Sequence, residues 1–355
     1  MDKSILITGG AGFVGSSLSL KLKESYPQYR VCAFDNLRRR GSELNLDRLK
    51  TNGVEFIHGD TRNPEDFGSL PRIDLIIDAS AEPSVMAGIS GASDYAINSN
   101  LVGTINCLNF ATRNSSDLIF LSTSRVYPIE KIEQINFVED ETRFSITPDQ
   151  TIPGISINGI SESFPLDGYR SIYGATKLCS ELLIEEYNNF YGLRTVANRF
   201  GVVTGPWQMG RVDQGVVVYW LAKHFWGGPL SYVGYGGAGK QIRDILHIND
   251  LFRLIDFQIH NIDKVNNQVF NVGGGTKTTV SLLELTLLCS KITGNKIPVG
   301  SIPETRPADI RIYATDNAKV SKATGWEPTI GIERILDDIY EWIVDHHTKL
   351  ENILE

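Results

Sequence analysis

Residues 5–18 read "ILITGGAGFVGSSL", and their reading decides the fold. Ile5 to Thr8 form a short apolar run of the kind that makes a buried strand, and "FVGSSL" opens a helical pattern. Between them Gly9, Gly12 and Gly15 fall at a GxxGxxG spacing. Three glycines alone say little. Set between a strand and a helix, they make a turn that backbone can use to approach a pyrophosphate. The N–H groups at Phe13 and Val14 and the positive end of the helix dipole stand behind it. Twenty residues after Gly15, the run "RVCAFD" ends at Asp35, where a carboxylate accepts both ribose hydroxyls of NAD and repels a 2′-phosphate. Arg38, Arg39 and Arg40 would favour NADP, but they lie beyond the strand tip. NAD is therefore the expected cofactor, with Asn36 beside the ribose.

The 355 residues, 41% of them apolar, suffice for two domains or one large α/β unit. A net charge of −8 argues against a nucleic-acid partner, which needs a basic field, so any anionic ligand must be held by a local cluster of cations. No apolar run approaches the ~20 residues that cross a bilayer, and the start of the chain lacks the apolar core and cleavage site of a signal peptide. Cys32, Cys107, Cys179 and Cys289 are scattered and form no CxxC pair, so neither disulfides nor a metal site is expected. These features predict a soluble, cytoplasmic protein with no membrane partner.

The runs "SILITGG", "RVCAFD", "VEFIHGD", "LIIDASA" and "LIFLSTS" alternate with helical patterns such as "SSLSLKLKESY" and "NLVGTINCLNFATR". That βαβα order predicts a doubly wound, parallel sheet of the Rossmann type. The expected division is an NAD-binding domain over residues 1–198 and 241–268, and a smaller α/β substrate domain over 199–240 and 269–355. Asp60, closing "VEFIHGD", is placed either to reach the adenine amine or simply to close a turn. Thr61 and the strand-end residues Ala79, Ser80 and Ala81 complete the expected cofactor site. Residues 128–168 have no clear periodicity and read as a long functional loop. "IGIERILDDIYEWIVDHH" reads as an amphipathic helix.

"DGYRSIYGATKLCS", residues 167–180, sets Tyr173 four places before Lys177 on one helical face. "FLSTSRVY" ends a strand of the same sheet with Ser122, Thr123 and Ser124, at the carboxyl edge where ligands bind. A hydroxyl, a phenol and an ammonium there form a proton-handling group, in which Lys177 is expected to draw the Tyr173 pKa down from ~10. The phenolate then removes a sugar hydroxyl proton.

Taken together, "TGGAGFVG", "FDN", "HGD", "NLVGT", "STSRVY", "YGATK", "GKQIRDILHINDL", "NVGGG" and "GWEPTIGIE" resemble the extended short-chain dehydrogenases/reductases, the nucleotide-sugar epimerases and dehydratases. The likeness covers nearly the whole chain. It implies that Tyr173 is the base, Lys177 its partner and the holder of the nicotinamide ribose, Thr123 the third member, and Asn100 a support. Dehydratase relatives carry an Asp-Glu pair where this chain has Ser124 and Arg125, so elimination lacks its proton donor. The decarboxylases carry a glutamate at Arg125, and the 4-epimerases an asparagine at Val202. Within the family the chain resembles the CDP-paratose 2-epimerase (tyvelose epimerase) group, which implies transient oxidation of a sugar carbon by NAD.

The resemblance further implies that Arg243 and Arg306 grip the pyrophosphate of a nucleotide-diphosphate sugar, with Arg311 beside them. Guanidinium forks suit that chemistry. Ser124, Arg125, Arg199, Asp213 and Gln214 are the remaining expected substrate residues, and Trp207 a possible wall of the sugar pocket. Gly210 and Gly215 are expected to leave room for the ring to turn. By analogy the chain forms a homodimer through the Tyr173 helix. The alternatives are a UDP-sugar 4-epimerase, a UDP-glucuronate decarboxylase-like enzyme, or a non-catalytic NAD-binding regulator.

Overall fold

The computed structural model describes every residue except Met1, Ser90, Val212, Asp213 and Glu355. Its central sheet has seven strands, labelled here in chain order: β1 (Ser4–Thr8), β2 (Arg30–Asp35), β3 (Glu55–His58), β4 (Leu75–Asp78), β5 (Asp117–Thr123), β6 (Thr195–Phe200) and β7 (Gln268–Val272). They lie in the order β7-β6-β5-β4-β1-β2-β3. The pairs β1–β2, β2–β3, β1–β4 and β4–β5 run parallel, with Ile5 opposite both Val31 and Leu75. Ile5, Leu6, Ile7, Ile76, Ile77, Ile119 and Phe120 are fully buried, as strands covered on both faces must be. Each such side chain contributes about 1.5–3 kcal/mol.

The strand order reverses between β1 and β4, the topological switch point where α/β sheets bind ligands beyond the strands' carboxyl ends. Helix α1 (Phe13–Ser25) follows β1, helix α2 (Gly103–Asn114) precedes β5, and helix α3 (Ile172–Tyr191) precedes β6. Just before α2, a π-turn spans Asn98–Val102. Such turns are uncommon and often mark functional positions.

The chain divides into two compact units. The first comprises Met1–Val126, Ser171–Arg199 and Phe252–Phe270. The second comprises Tyr127–Arg170, Phe200–Leu251 and Asn271–Glu355. Residues 127–170 and 241–251 therefore fall in the second unit, not the first as the sequence boundaries had them. The reason is strand pairing. Ile242–His247 pairs with Val202–Thr204, Thr279–Ser281 and Ile312–Tyr313 in a separate sheet, and the Ile160 amide bonds the Ala314 carbonyl. The expected long loop is in fact built from a short helix (Ile129–Glu133) and two small hairpins. The amphipathic C-terminal segment forms a helix over Ile332–Leu354. No helix among the described residues is long and apolar enough to cross a membrane.

Candidate active site

The glycine turn leaves β1 at Gly9, whose φ of +62° suits glycine. A Cβ added there would lie 2.9 Å from the Ala79 carbonyl oxygen, and one at Gly15 only 2.2 Å from that of Gly9. At Gly12 the same addition meets nothing closer than 3.1 Å, so this glycine keeps the turn's outer face bare. Gly10, passed over in the sequence, is equally constrained: its Cβ would come within 2.5 Å of the Ala33 backbone. Helix α1 starts without a side-chain cap, which leaves the first-turn amides of Phe13 and Val14 without intrahelical partners.

Asp35 ends β2, its carboxylate accepting from the amides of Ala11 at 3.1 Å and Leu37 at 2.7 Å. Burial pushes its pKa up, and these backbone donors oppose the rise. Asp60 is engaged by protein. Arg62 pairs with it at 2.5 Å and Asn36 donates to it at 2.9 Å, and the Arg62 contact holds its pKa down to about 2. Arg38 and Arg62 both lie over the Tyr95 ring, 4.0 and 4.8 Å from its centroid. One cleft is lined by Gly9, Gly12, Asp35, Asn36, Asp60, Thr61, Ala79, Ser80 and Ala81, together with Tyr95, which carries no sequence signal. The Thr8 hydroxyl donates to Asp78 at 2.7 Å and accepts the Ala79 and Ser80 amides at 3.1 Å, fixing the loop after β4.

Asn100 sits in the π-turn, fully buried. Its Oδ1 accepts the Glu82 amide at 2.7 Å, and its Nδ2 donates to the Glu82 carbonyl and the Thr176 hydroxyl at 3.2 Å. It braces the β4 loop against α3.

Ser171 caps α3 by accepting the Gly174 amide. The helix brings half-buried Tyr173 to the end of β5, beside the Thr123 hydroxyl. Burial pushes the phenol's pKa up, Thr123 and Arg125 pull it down, and Glu82 pushes it up again. The net direction is upward, contrary to the sequence expectation. Lys177 is 2% exposed, with Nζ 4.3 Å from the Phe120 ring centroid. Burial pushes its pKa down, opposed by Asp78 and Glu181. Lys177 thus shares the helical face with Tyr173 but is surrounded by other charges.

The expected substrate residues fare unevenly. In the first unit, Arg199 is locked in a buried ion pair with Glu181, 2.6 Å at its shortest, and Ser122 also donates to Glu181. Glu181, one turn beyond Lys177, carried no signal that separated it from an exposed helix glutamate. Ser124 is buried, and Arg125 is half-buried at the end of β5.

In the second unit, Arg243 is held by Asp309 at 2.8 Å and by the carbonyls of Ile242 and Ile310. Arg311 lies 3.6 Å from Glu133, among the rings of Phe137, Tyr235 and Phe144 at 4.5, 5.1 and 5.7 Å. Arg306 has no ion pair or side-chain hydrogen bond among the described residues. Gln214 exchanges backbone hydrogen bonds with Arg211, and Asp213 lies outside the described residues. Trp207 packs on Trp342 and His346, a hydrophobic role. Gly210 leaves no room for a ring: its Cβ would lie 2.7 Å from the Gly215 carbonyl and the Tyr219 amide, so close backbone packing explains both glycines.

Residues 5–273 match the NAD dependent epimerase/dehydratase family. The chain is 31% identical over 348 residues to CDP-paratose 2-epimerase of Salmonella typhi, covering 95% of this chain and 98% of the relative. Among solved structures it is similar to UDP-glucuronic acid 4-epimerase from Bacillus cereus in complex with UDP-glucuronic acid and NAD. There the identity is 25% and the TM-score 0.77, over 96% of this chain and 99% of that one. A UDP-glucose 4-epimerase from Thermotoga maritima, with UDP-glucose, matches at 25% identity and a TM-score of 0.77, over 97% and 99%. With the glycine turn, the strand-tip carboxylate and Tyr173 beside Thr123 at the end of β5, these matches establish that the chain belongs to the NAD dependent epimerase/dehydratase family.

Proposed function

We propose that this enzyme inverts one carbinol carbon of a nucleotide-diphosphate sugar, in the manner of a CDP-paratose 2-epimerase. The observation that carries the reading is Thr123, Tyr173 and Lys177 gathered at the carboxyl end of β5. The 31% relative favours a CDP-sugar.

The cofactor is NAD. The residues present fit it: a glycine cradle that side chains would fill, unpaired amides at Phe13 and Val14, and Asp35 at the strand tip. Gly9, Gly12, Gly15, Asn36, Thr61 and residues 79–81 would hold the dinucleotide, with Asn100 bracing that loop. When bound, NAD supplies a temporary acceptor for the hydrogen on the inverting carbon. Tyr173 takes the proton of the sugar hydroxyl and later returns it, while Thr123 orients both oxygens. Lys177 is the candidate for the nicotinamide ribose. Ser124 and Arg125 bring no carboxyl at the two positions where dehydratase relatives carry their Asp-Glu pair, which speaks against elimination. Arg306 is the foremost candidate for the substrate phosphates.

A UDP-sugar 4-epimerase is the second reading, favoured by the two UDP-sugar-bound structures. A homodimer through α3 is supported by its exposed Leu182, Phe190 and Tyr191, at 57, 78 and 64%. Incubation with a panel of CDP- and UDP-sugars, read by NMR of the products, tests the assignment. A C2 epimer from a CDP-sugar is expected, a C4 epimer from a UDP-sugar would select the second reading, and no epimer from any sugar would overturn both.

A further inference from the structure

Arg311 stands in a cage of three rings, all of them in the second unit. The centroids of Phe137, Tyr235 and Phe144 lie 4.5, 5.1 and 5.7 Å from its guanidinium carbon. Phe137 and Phe144 meet edge to face at 5.2 Å across the hairpin that pairs Phe137–Glu139 with Phe144–Ile146. Arg143 anchors this hairpin, its Nε donating to Glu284 at 2.7 Å. Glu133, which ends the short helix before the hairpin, closes the cage. Its Oε1 accepts both the Arg311 amide at 2.7 Å and the Tyr235 hydroxyl at 3.0 Å. Its Oε2 meets only the Arg311 Nη2 among the described residues, and that at 3.6 Å. The Arg311 side chain is 26% exposed, yet its guanidinium donates no hydrogen bond among the described residues.

The cage therefore offers unspent N–H donors beside an unspent carboxylate oxygen, among aromatic faces. Those features together suit a nucleobase, held by stacking and by the hydrogen-bonding edge of its ring. Cytosine and uracil differ on that edge. Both present O2 as an acceptor, but cytosine adds an N3 acceptor and an N4 donor, whereas uracil adds an N3–H donor and an O4 acceptor. We propose that Arg311 and Glu133 read the base of the nucleotide-sugar and select cytosine over uracil. Arg311 donates to O2 and N3, and Glu133 Oε2 accepts from N4. Uracil would set its O4 against the carboxylate and its N3–H against the guanidinium, two mismatches that a hydrogen-bonding site rejects. The neighbouring strand leads to a phosphate candidate: the Ile242 amide donates to the Arg311 carbonyl at 3.1 Å, and Arg243 follows Ile242. This assignment rests on the reading of the enzyme as a nucleotide-sugar epimerase and names the base that it takes.

The test measures binding of CDP and of UDP to the full-length, NAD-loaded enzyme by calorimetry. The two carry the same ribose and phosphates, so their affinity ratio reports the base alone. Wild type should bind CDP at least about tenfold more tightly than UDP. Glu133→Gln keeps an Oε1 acceptor for the Arg311 amide and the Tyr235 hydroxyl but puts an amide donor where Oε2 stood. It should weaken CDP, strengthen UDP and so shrink the ratio by about tenfold or more. Arg311→Lys, which keeps the charge and loses the fork, should weaken CDP more than UDP, and it serves if the Glu133 variant does not fold. Equal affinity of wild type for CDP and UDP, tighter binding of UDP, no binding of either, or a ratio that neither variant changes would overturn the proposal. A clear CDP preference in an enzyme that epimerises no nucleotide-sugar would instead sink the functional reading, while CDP and UDP bound alike by an active epimerase would sink the base assignment alone.

Discussion

Glu181 and Arg199 form a buried ion pair in which the guanidinium donates to the carboxylate at 2.6, 3.0 and 3.1 Å, with side chains only 4 and 6% exposed. The pair joins α3 to β6, and the Ser122 hydroxyl brings in β5 one residue before Thr123. Removing one partner leaves an uncompensated buried charge, which costs about 3–5 kcal/mol. Glu181→Gln should lose about that much in urea denaturation, while Glu181→Gln combined with Arg199→Met recovers a large share. Additive losses in the double variant would show that the pair does not act as one unit.

Two glycines of the same turn should respond differently. Gly15→Ala forces a Cβ to 2.2 Å from the Gly9 oxygen, so it should lower the melting temperature or prevent folding. Gly12→Ala meets that oxygen only at 3.1 Å and should keep a near-native melting temperature while weakening NAD binding. Calorimetry with and without NAD separates the two, and equal NAD affinity in wild type and Gly12→Ala would remove Gly12 from the cofactor site.

Asp244 is fully buried, accepting the amides of Gly275 and Thr315 at 3.2 and 3.3 Å, and burial pushes its pKa up to about 6. Because the folded value lies above the ordinary 3.8, ionisation favours the unfolded chain. The stability present below about pH 4 is lost as pH rises through about 6, roughly 3 kcal/mol in all. Wild type should therefore lose melting temperature relative to Asp244→Asn between about pH 4 and pH 7. Parallel curves would contradict the buried-acid account.

Tyr173→Phe removes the phenol oxygen but keeps the ring. Turnover should fall by at least about a hundredfold, as loss of an acid-base group does, with NAD affinity within a few-fold of wild type. Thr123→Ser, which keeps the hydroxyl, should retain far more activity than Thr123→Ala. Equal rates in the two Thr123 variants would show that the hydroxyl does not orient the reaction.

The cofactor half was legible because its signals are local: Gly9, Gly12 and Gly15 span seven residues, and Asp35 ends the next strand. The apolar runs likewise gave the parallel order directly. The cations were a different matter. Arg199, Arg243 and Arg311 have the right chemistry for phosphate, yet each meets a carboxylate distant in sequence, at Glu181, Asp309 and Glu133. Spacing carries no trace of such partners. Residues 128–168 read as a loop because their hairpin strands are two or three residues long, too short to show an alternating pattern. Gly10 escaped notice because its need arises from Ala33 on the neighbouring strand.

The most direct measurement is turnover in D₂O, with the product's inverted carbon examined by NMR and mass spectrometry. The account predicts that this carbon keeps its original hydrogen, because that hydrogen is lent to the dinucleotide and returned while only the Tyr173 proton exchanges with solvent. Deuterium at the inverted carbon would mean that the hydrogen leaves as a proton, and the proposed chemistry would be wrong.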